Sequence, residues 1–98
     1  IMGVNRDFGR SSEPDFVSVT RGGTEILPDN RNRNWATITN MGDHDVYCAF
    51  NFPAVIGKGM VLKAHGGNII IGTELRSSEA FNGVSVGEPC RVIFQEAQ

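Results

Sequence analysis

The chain has 98 residues, 40% of them hydrophobic, and nine Lys and Arg against eleven Asp and Glu give it a formal charge of −2. That length fits one small domain, which buries roughly 60–65% of the surface its unfolded form exposes, so contacts with neighbours are expected to add to its stability. The charge balance argues against a protein held to nucleic acid by phosphate neutralisation, and no run approaches the ~18 apolar residues of a membrane span.

Residues 1–14 mix Asn, Arg, Asp, Gly, Ser, Glu and Pro with no hydrophobic period, and carry Phe8 and Arg10. They read as an extended N-terminal arm that orders only against something else, ahead of a domain over residues 15–98. Ile1 precedes Met2, so the expected start is a processing site, an engineered junction or a point partway into a longer product. No apolar segment of the secretory type is present, and a soluble, intracellularly made protein is the expectation.

From Asp15 the pattern alternates. "DFVSVT" sets Phe16 and Ser18 on one side and Val17 and Val19 on the other, as in a short strand. "RGG" is a turn, and "TEIL" a second strand ended by Pro28. "DNRNRN" is a turn region, because Asn and Asp hydrogen-bond their own backbone. "WATITN" alternates Trp35, Thr37 and Thr39 with Ala36 and Ile38, and "VYCAF" puts Val46, Cys48 and Phe50 on one face. Joined by the five-residue loop "MGDHD", these two segments read as a β-hairpin.

"NFPAVIGKG" is irregular, "MVLKA" and "NIIIG" are strands around the turn "HGG", and "TELRSSEA" is a loop or a single helical turn. "FNGVSVG" and "CRVIFQEA" complete the set, with Cys90, Val92 and Phe94 alternating against Arg91, Ile93 and Gln95. Twelve glycines, four prolines, strand signals about every ten residues and no clear helical period predict an all-β fold. The expected architecture is an antiparallel β-sandwich or jelly-roll-like barrel of roughly seven to eight short strands.

Leu27-Pro28, Arg33, Ile38, Asn40, Val46-Tyr47, Gly59, Leu62 and Gly66-Gly67 fall in an order that resembles small β-sandwich modules of tailed-phage virions. The resemblance spans about residues 16–97. It implies a virion structural protein made in the host cytoplasm: a capsid decoration or cement subunit, a head fibre, or a tail-attachment domain. It transfers no catalytic residue, and the opening arm departs from its compact pattern.

The residues offer little chemistry. His44, between Asp43 and Asp45, and His65 lack the H-x-H or H-x-x-x-H spacing of a metal site, so solvated turns are expected and no metal ligand is assigned. Cys48 and Cys90 share parity with large apolar neighbours and read as buried free thiols. A disulfide is the alternative if the strands bring them together. The serine-bearing loops contain no G-x-S-x-G elbow, and "RGGTE" and "HGGN" lack the lysine and helix of a phosphate loop. No catalytic residue and no cofactor is therefore assigned.

The cluster "NRNRNW" remains. Arg31, Arg33 and Trp35 share parity and project to one side if the strand starts early. Arg over an indole face, a sugar or base stacked there, or a subunit contact are the uses such a trio has. The expected role is fold or subunit contact, with carbohydrate second and nucleic acid last. Arg31, Arg33, Trp35, Phe8 and Arg10 are thus the interface candidates. The expected partners are a major capsid or other virion protein and further copies of the chain, as a dimer or trimer. Rival readings are a receptor- or carbohydrate-binding fibre module, and a small metal-dependent enzyme of sandwich or cupin type.

Overall fold

The computed structural model describes residues 13–72 and 77–97, and they form eight strands. These are β1 (Asp15–Val19), β2 (Thr24–Leu27), β3 (Trp35–Asn40), β4 (Val46–Phe50), β5 (Met60–Leu62), β6 (Asn68–Ile71), β7 (Phe81–Ser85) and β8 (Cys90–Ala97). Two four-stranded antiparallel sheets result, in the orders β1-β8-β3-β6 and β2-β7-β4-β5. The arm candidates Phe8 and Arg10 lie outside the described residues, as does much of "TELRSSEA".

The pairings β1·β8, β2·β7, β3·β6 and β4·β5 nest inside one another. They are the rungs of one long hairpin folded over on itself, and β3·β8 and β4·β7 zip the folded halves together. This is the strand order of a double-sheet jelly roll. The sheets do not close into a barrel; each keeps two edge strands.

The expected β3–β4 hairpin is therefore not formed. β3 lies between β8 and β6, β4 between β7 and β5, and residues 41–45 cross from one sheet to the other. The physical reason is that a period of two specifies which side chains face the core, not which strand lies alongside. Ala36, Ile38 and Asn40 point inward from one sheet while Val46 and Cys48 point inward from the other. Only β4 and β5, among consecutive strands, are hydrogen-bonded neighbours.

Between the sheets lies one core containing Val19, Leu27, Ile38, Val46, Leu62, Ile71, Phe81 and Val92. Phe81 meets Phe50 edge-on, with ring centroids 5.0 Å apart, an arrangement favoured by the ring quadrupoles. Cys48 and Cys90 enter this core from opposite sheets as free thiols. Burial pushes the Cys48 thiol up to about 12, so it stays protonated at neutral pH and acts as a small apolar side chain.

Two buried polar side chains fasten the ends of β3. At its C-terminal end Asn40 is fully buried, and its amide donates to the carbonyls of His44 (2.7 Å) and Leu62 (3.0 Å). Its side-chain oxygen accepts from the Gly42 N–H at 2.9 Å. One residue thus joins β3, the crossover loop and β5 of the other sheet. At the opposite end Arg33, 7% exposed, gathers the loops that bound β2, β3, β7 and β8, as described below. Every buried side-chain nitrogen and oxygen among the described residues has a hydrogen-bond partner.

Gly59 closes the β4–β5 loop at φ +82°, where an added Cβ would drive into the Cys48 carbonyl. Gly59→Ala thus adds both left-handed strain and a backbone clash. Its expected cost is at least ~2 kcal/mol, read as a lower midpoint in urea unfolding at an unchanged slope.

Candidate functional site

The "NRNRNW" loop is first a fold device. Asn30 organises it: its side-chain oxygen accepts from the Asn32 N–H (3.1 Å) and its carbonyl from the Arg33 N–H (3.0 Å). The tight turn this makes directs the Arg33 side chain inward. The Arg33 guanidinium donates from Nε to Glu96 Oε2 (2.8 Å) and from Nη1 to the carbonyls of Ser77 (3.2 Å) and Glu79 (2.9 Å). A further bond runs from Nη2 to the Pro28 carbonyl.

β3 begins only at Trp35, so the shared projection of Arg31, Arg33 and Trp35 does not occur. Arg31 is exposed, Arg33 is buried, and Trp35 lies outward, 37% exposed. Parity extends through a strand but not through the turn before it. The arginine–aromatic stack is elsewhere, with the Arg91 guanidinium 4.0 Å from the centroid of Phe16.

The histidine-bearing loops lie together at the other end of the sandwich. His65 Nδ1 is 3.7 Å from Asp43 Oδ1, and both side chains are largely in solvent. Asp45 accepts from Lys63 Nζ and from the Ala64 N–H, each at 2.9 Å. The Lys63 hydrogen bond, then the Ala64 N–H, hold the Asp45 carboxyl below its ordinary range; the same carboxylate holds Lys63 above its own. The carboxylate's contribution is therefore present above the ordinary Asp range and lost as pH falls through the lowered value. Lys63 contributes below the ordinary Lys range and loses that as pH rises through its raised value; the pair is solvent-screened and worth little. No group of three or more His, Cys, Asp or Glu side chains is placed to hold a metal among the described residues.

What stands out on the surface is apolar. The β4–β5 loop exposes Phe52 (68%), Val55 and Ile56 together. The loop is held in shape by Asn51 N–H to Ala80 carbonyl (2.7 Å), Asn82 Nδ2 to Phe52 carbonyl (2.9 Å) and Lys58 N–H to Val55 carbonyl (3.1 Å). Asn51, Gly57 and Gly59 all take positive φ, at 68°, 88° and 82°. A loop kept in that conformation while presenting three bulky apolar side chains has the form of a contact element. Sequence reading passed over it as merely irregular. The available signal was charge: from Val46 to Thr73 there is no Asp or Glu, in a chain that is acidic overall.

The second apolar surface is the outer face of the β1-β8-β3-β6 sheet. Register sets Phe16 opposite Ile93, Ile93 opposite Thr39, and Thr37 opposite Ile70. No helix among the described residues is long and apolar enough to cross a membrane. Comparison of the chain with protein families, with curated proteins and with solved structures finds no match to any of them.

Proposed function

We propose that this jelly roll is a virion structural protein, a decoration or cement subunit that seats on the outer surface of a capsid shell and stabilises it. The observation that carries the reading is the shaped apolar loop of Phe52, Val55 and Ile56, displayed at one end of a sandwich whose buried side-chain nitrogens and oxygens, among the described residues, all have partners. Burying such side chains fully against a partner contributes roughly 1.5–3 kcal/mol each. The order of Leu27-Pro28, Arg33, Asn40, Gly59 and Gly66-Gly67 supports the same reading through its likeness to tailed-phage modules. A major capsid protein is the partner this reading requires. The segment with Phe8 and Arg10, outside the described residues, is the second contact this reading assigns.

Titrating the purified chain onto shells assembled from the same genome, with occupancy read by quantitative mass spectrometry, tests this. Wild-type protein is expected to saturate its sites. Phe52→Ser and Ile56→Ser are each expected to weaken binding about tenfold or more with an unchanged melting temperature. Deleting residues 2–14 is expected to leave a folded domain that binds more weakly. Occupancy unchanged in the loop variants would overturn the loop's role, and absence of the chain from particles would overturn the function.

A second reading, a carbohydrate-binding fibre module, draws on Trp35, half-exposed beside the exposed Asn34. Glycan binding lost in Trp35→Ala would favour it over the shell reading.

A further inference from the structure

We infer that the outer face of the β1-β8-β3-β6 sheet is a homodimer interface, covered in solution by the same face of a second copy. An antiparallel sheet that meets water on its outer side alternates apolar-in with polar-out. Here every strand breaks that alternation once. Phe16, Trp35, Ile70 and Ile93 all point outward and are 53%, 37%, 59% and 40% exposed, with Thr37 and Thr39 between them and the polar Ser18, Gln95 and Asn68 on the same face. The cross-strand register sets Phe16, Ile93 and Thr39 in one row and Thr37 and Ile70 in the next, so the apolar side chains reach all four strands.

Charge fits a self-association. The ionised side chain that the strands contribute to this face is Arg91, already stacked on Phe16 at 4.0 Å. A two-fold axis lying across the strands places the two copies of Arg91 at opposite ends of the contact. Six residues of strand separate Arg91 from Ala97, the other end of β8, so that distance is ~20 Å, beyond the ~8 Å Debye length at physiological salt. The two sheets then pack face to face as in any sandwich, with Thr and Ile interdigitating.

Area also fits. Four strands at ~4.8 Å and ~20 Å of strand length give a face of roughly 400 Å² in projection, so two copies remove about 1,000 Å² from water once side-chain relief is included. That is the lower end of specific interfaces, where weak and reversible complexes lie, and the dimer is expected to dissociate on the order of micromolar concentrations. The inference does not depend on the shell reading: mass in solution tests this one and particle occupancy tests the other.

Sedimentation equilibrium of the full chain from ~1 to ~200 µM, a range set by that micromolar expectation, decides the matter. Wild-type protein is expected to pass from monomer to dimer across the series. Ile70→Lys and Ile93→Lys, made separately, are each expected to weaken the dimer at least about tenfold, because each sets a new charge in the contact. Val61→Lys, on the outer face of the other sheet, is expected to dimerise as the wild type does. Both face substitutions replace exposed side chains, and coincident circular-dichroism melts verify folding. A wild-type monomer throughout, a dimer that survives both face substitutions, or one equally lost in Val61→Lys would each overturn the proposal.

Discussion

Arg33→Ala is expected to remove about 3–5 kcal/mol of stability and to lower the melting temperature by at least ~12 °C. Its side chain is wholly buried, whereas that of its ion-pair partner Glu96 is 18% exposed. Truncation takes the guanidinium away from the partly buried Glu96 carboxylate and deprives the carbonyls of Pro28, Ser77 and Glu79 of a donor. Arg33→Lys is expected to recover only part of the loss, since one ammonium cannot present the planar fork that reaches four acceptors at once. The neighbouring Arg31→Ala, exposed, is expected to fall within about 0.5 kcal/mol of wild type. Chemical denaturation of the three variants reads the contrast directly. Equal, small effects at both positions would mean that Arg33 is not a clamp, and would return it to the surface role its spacing first suggested.

Asn40→Ala is expected to cost about 2–4 kcal/mol, seen as a fall of at least ~8 °C in the melting temperature. The substitution orphans the Gly42 N–H and removes the donor to the His44 and Leu62 carbonyls inside the protein. The informative comparison is Asn40→Asp. A carboxylate matches the shape but cannot donate, and it would face two carbonyl oxygens at the distances the amide now spans. At neutral pH the aspartate variant is therefore expected to be less stable than the alanine variant, despite its closer shape. An aspartate variant as stable as wild type would show that the amide does not donate to both carbonyls. Asn40 ties β3 to β5 across the sandwich, so its loss is also expected to speed amide exchange in both strands.

Arg33 and Asn40 belong to a set of residues whose order pointed to a small β-sandwich, and the structure shows what that set does. Leu27 and Ile38 fill the core, and Arg33 and Asn40 are the clamps. Leu62 supplies both a core side chain and an acceptor carbonyl. Gly59 and Gly66 take positive φ, and at Gly67 a Cβ would strike the backbone of Lys63. The pattern is thus made of residues that hold crossovers and turns in place, which is why it carries a fold. The surfaces proposed as contacts, Phe52, Val55 and Ile56 on one side and Phe16, Ile70 and Ile93 on another, lie off it.

The strands, and the two-sidedness of β1, β3, β4 and β8, were readable from the chain because each depends on a local property. Alternation of apolar and polar side chains marks a half-buried strand, and Gly, Pro and Asn mark its ends. Inward Val17, Ile38, Cys48 and Val92 follow from that alone. The partners of each strand did not follow, because side-chain parity is the same whether two strands are neighbours in one sheet or face each other across a core. Only the tertiary structure placed β3 between β8 and β6, turned Arg33 from an outward candidate into an inward clamp, and set Phe16, Ile70 and Ile93 exposed on one sheet face among the described residues. Those outcomes rest on pairings and hydrogen bonds between residues far apart in the chain, such as Asp15 with Phe94 and Asn30 with Glu96, which no local period encodes.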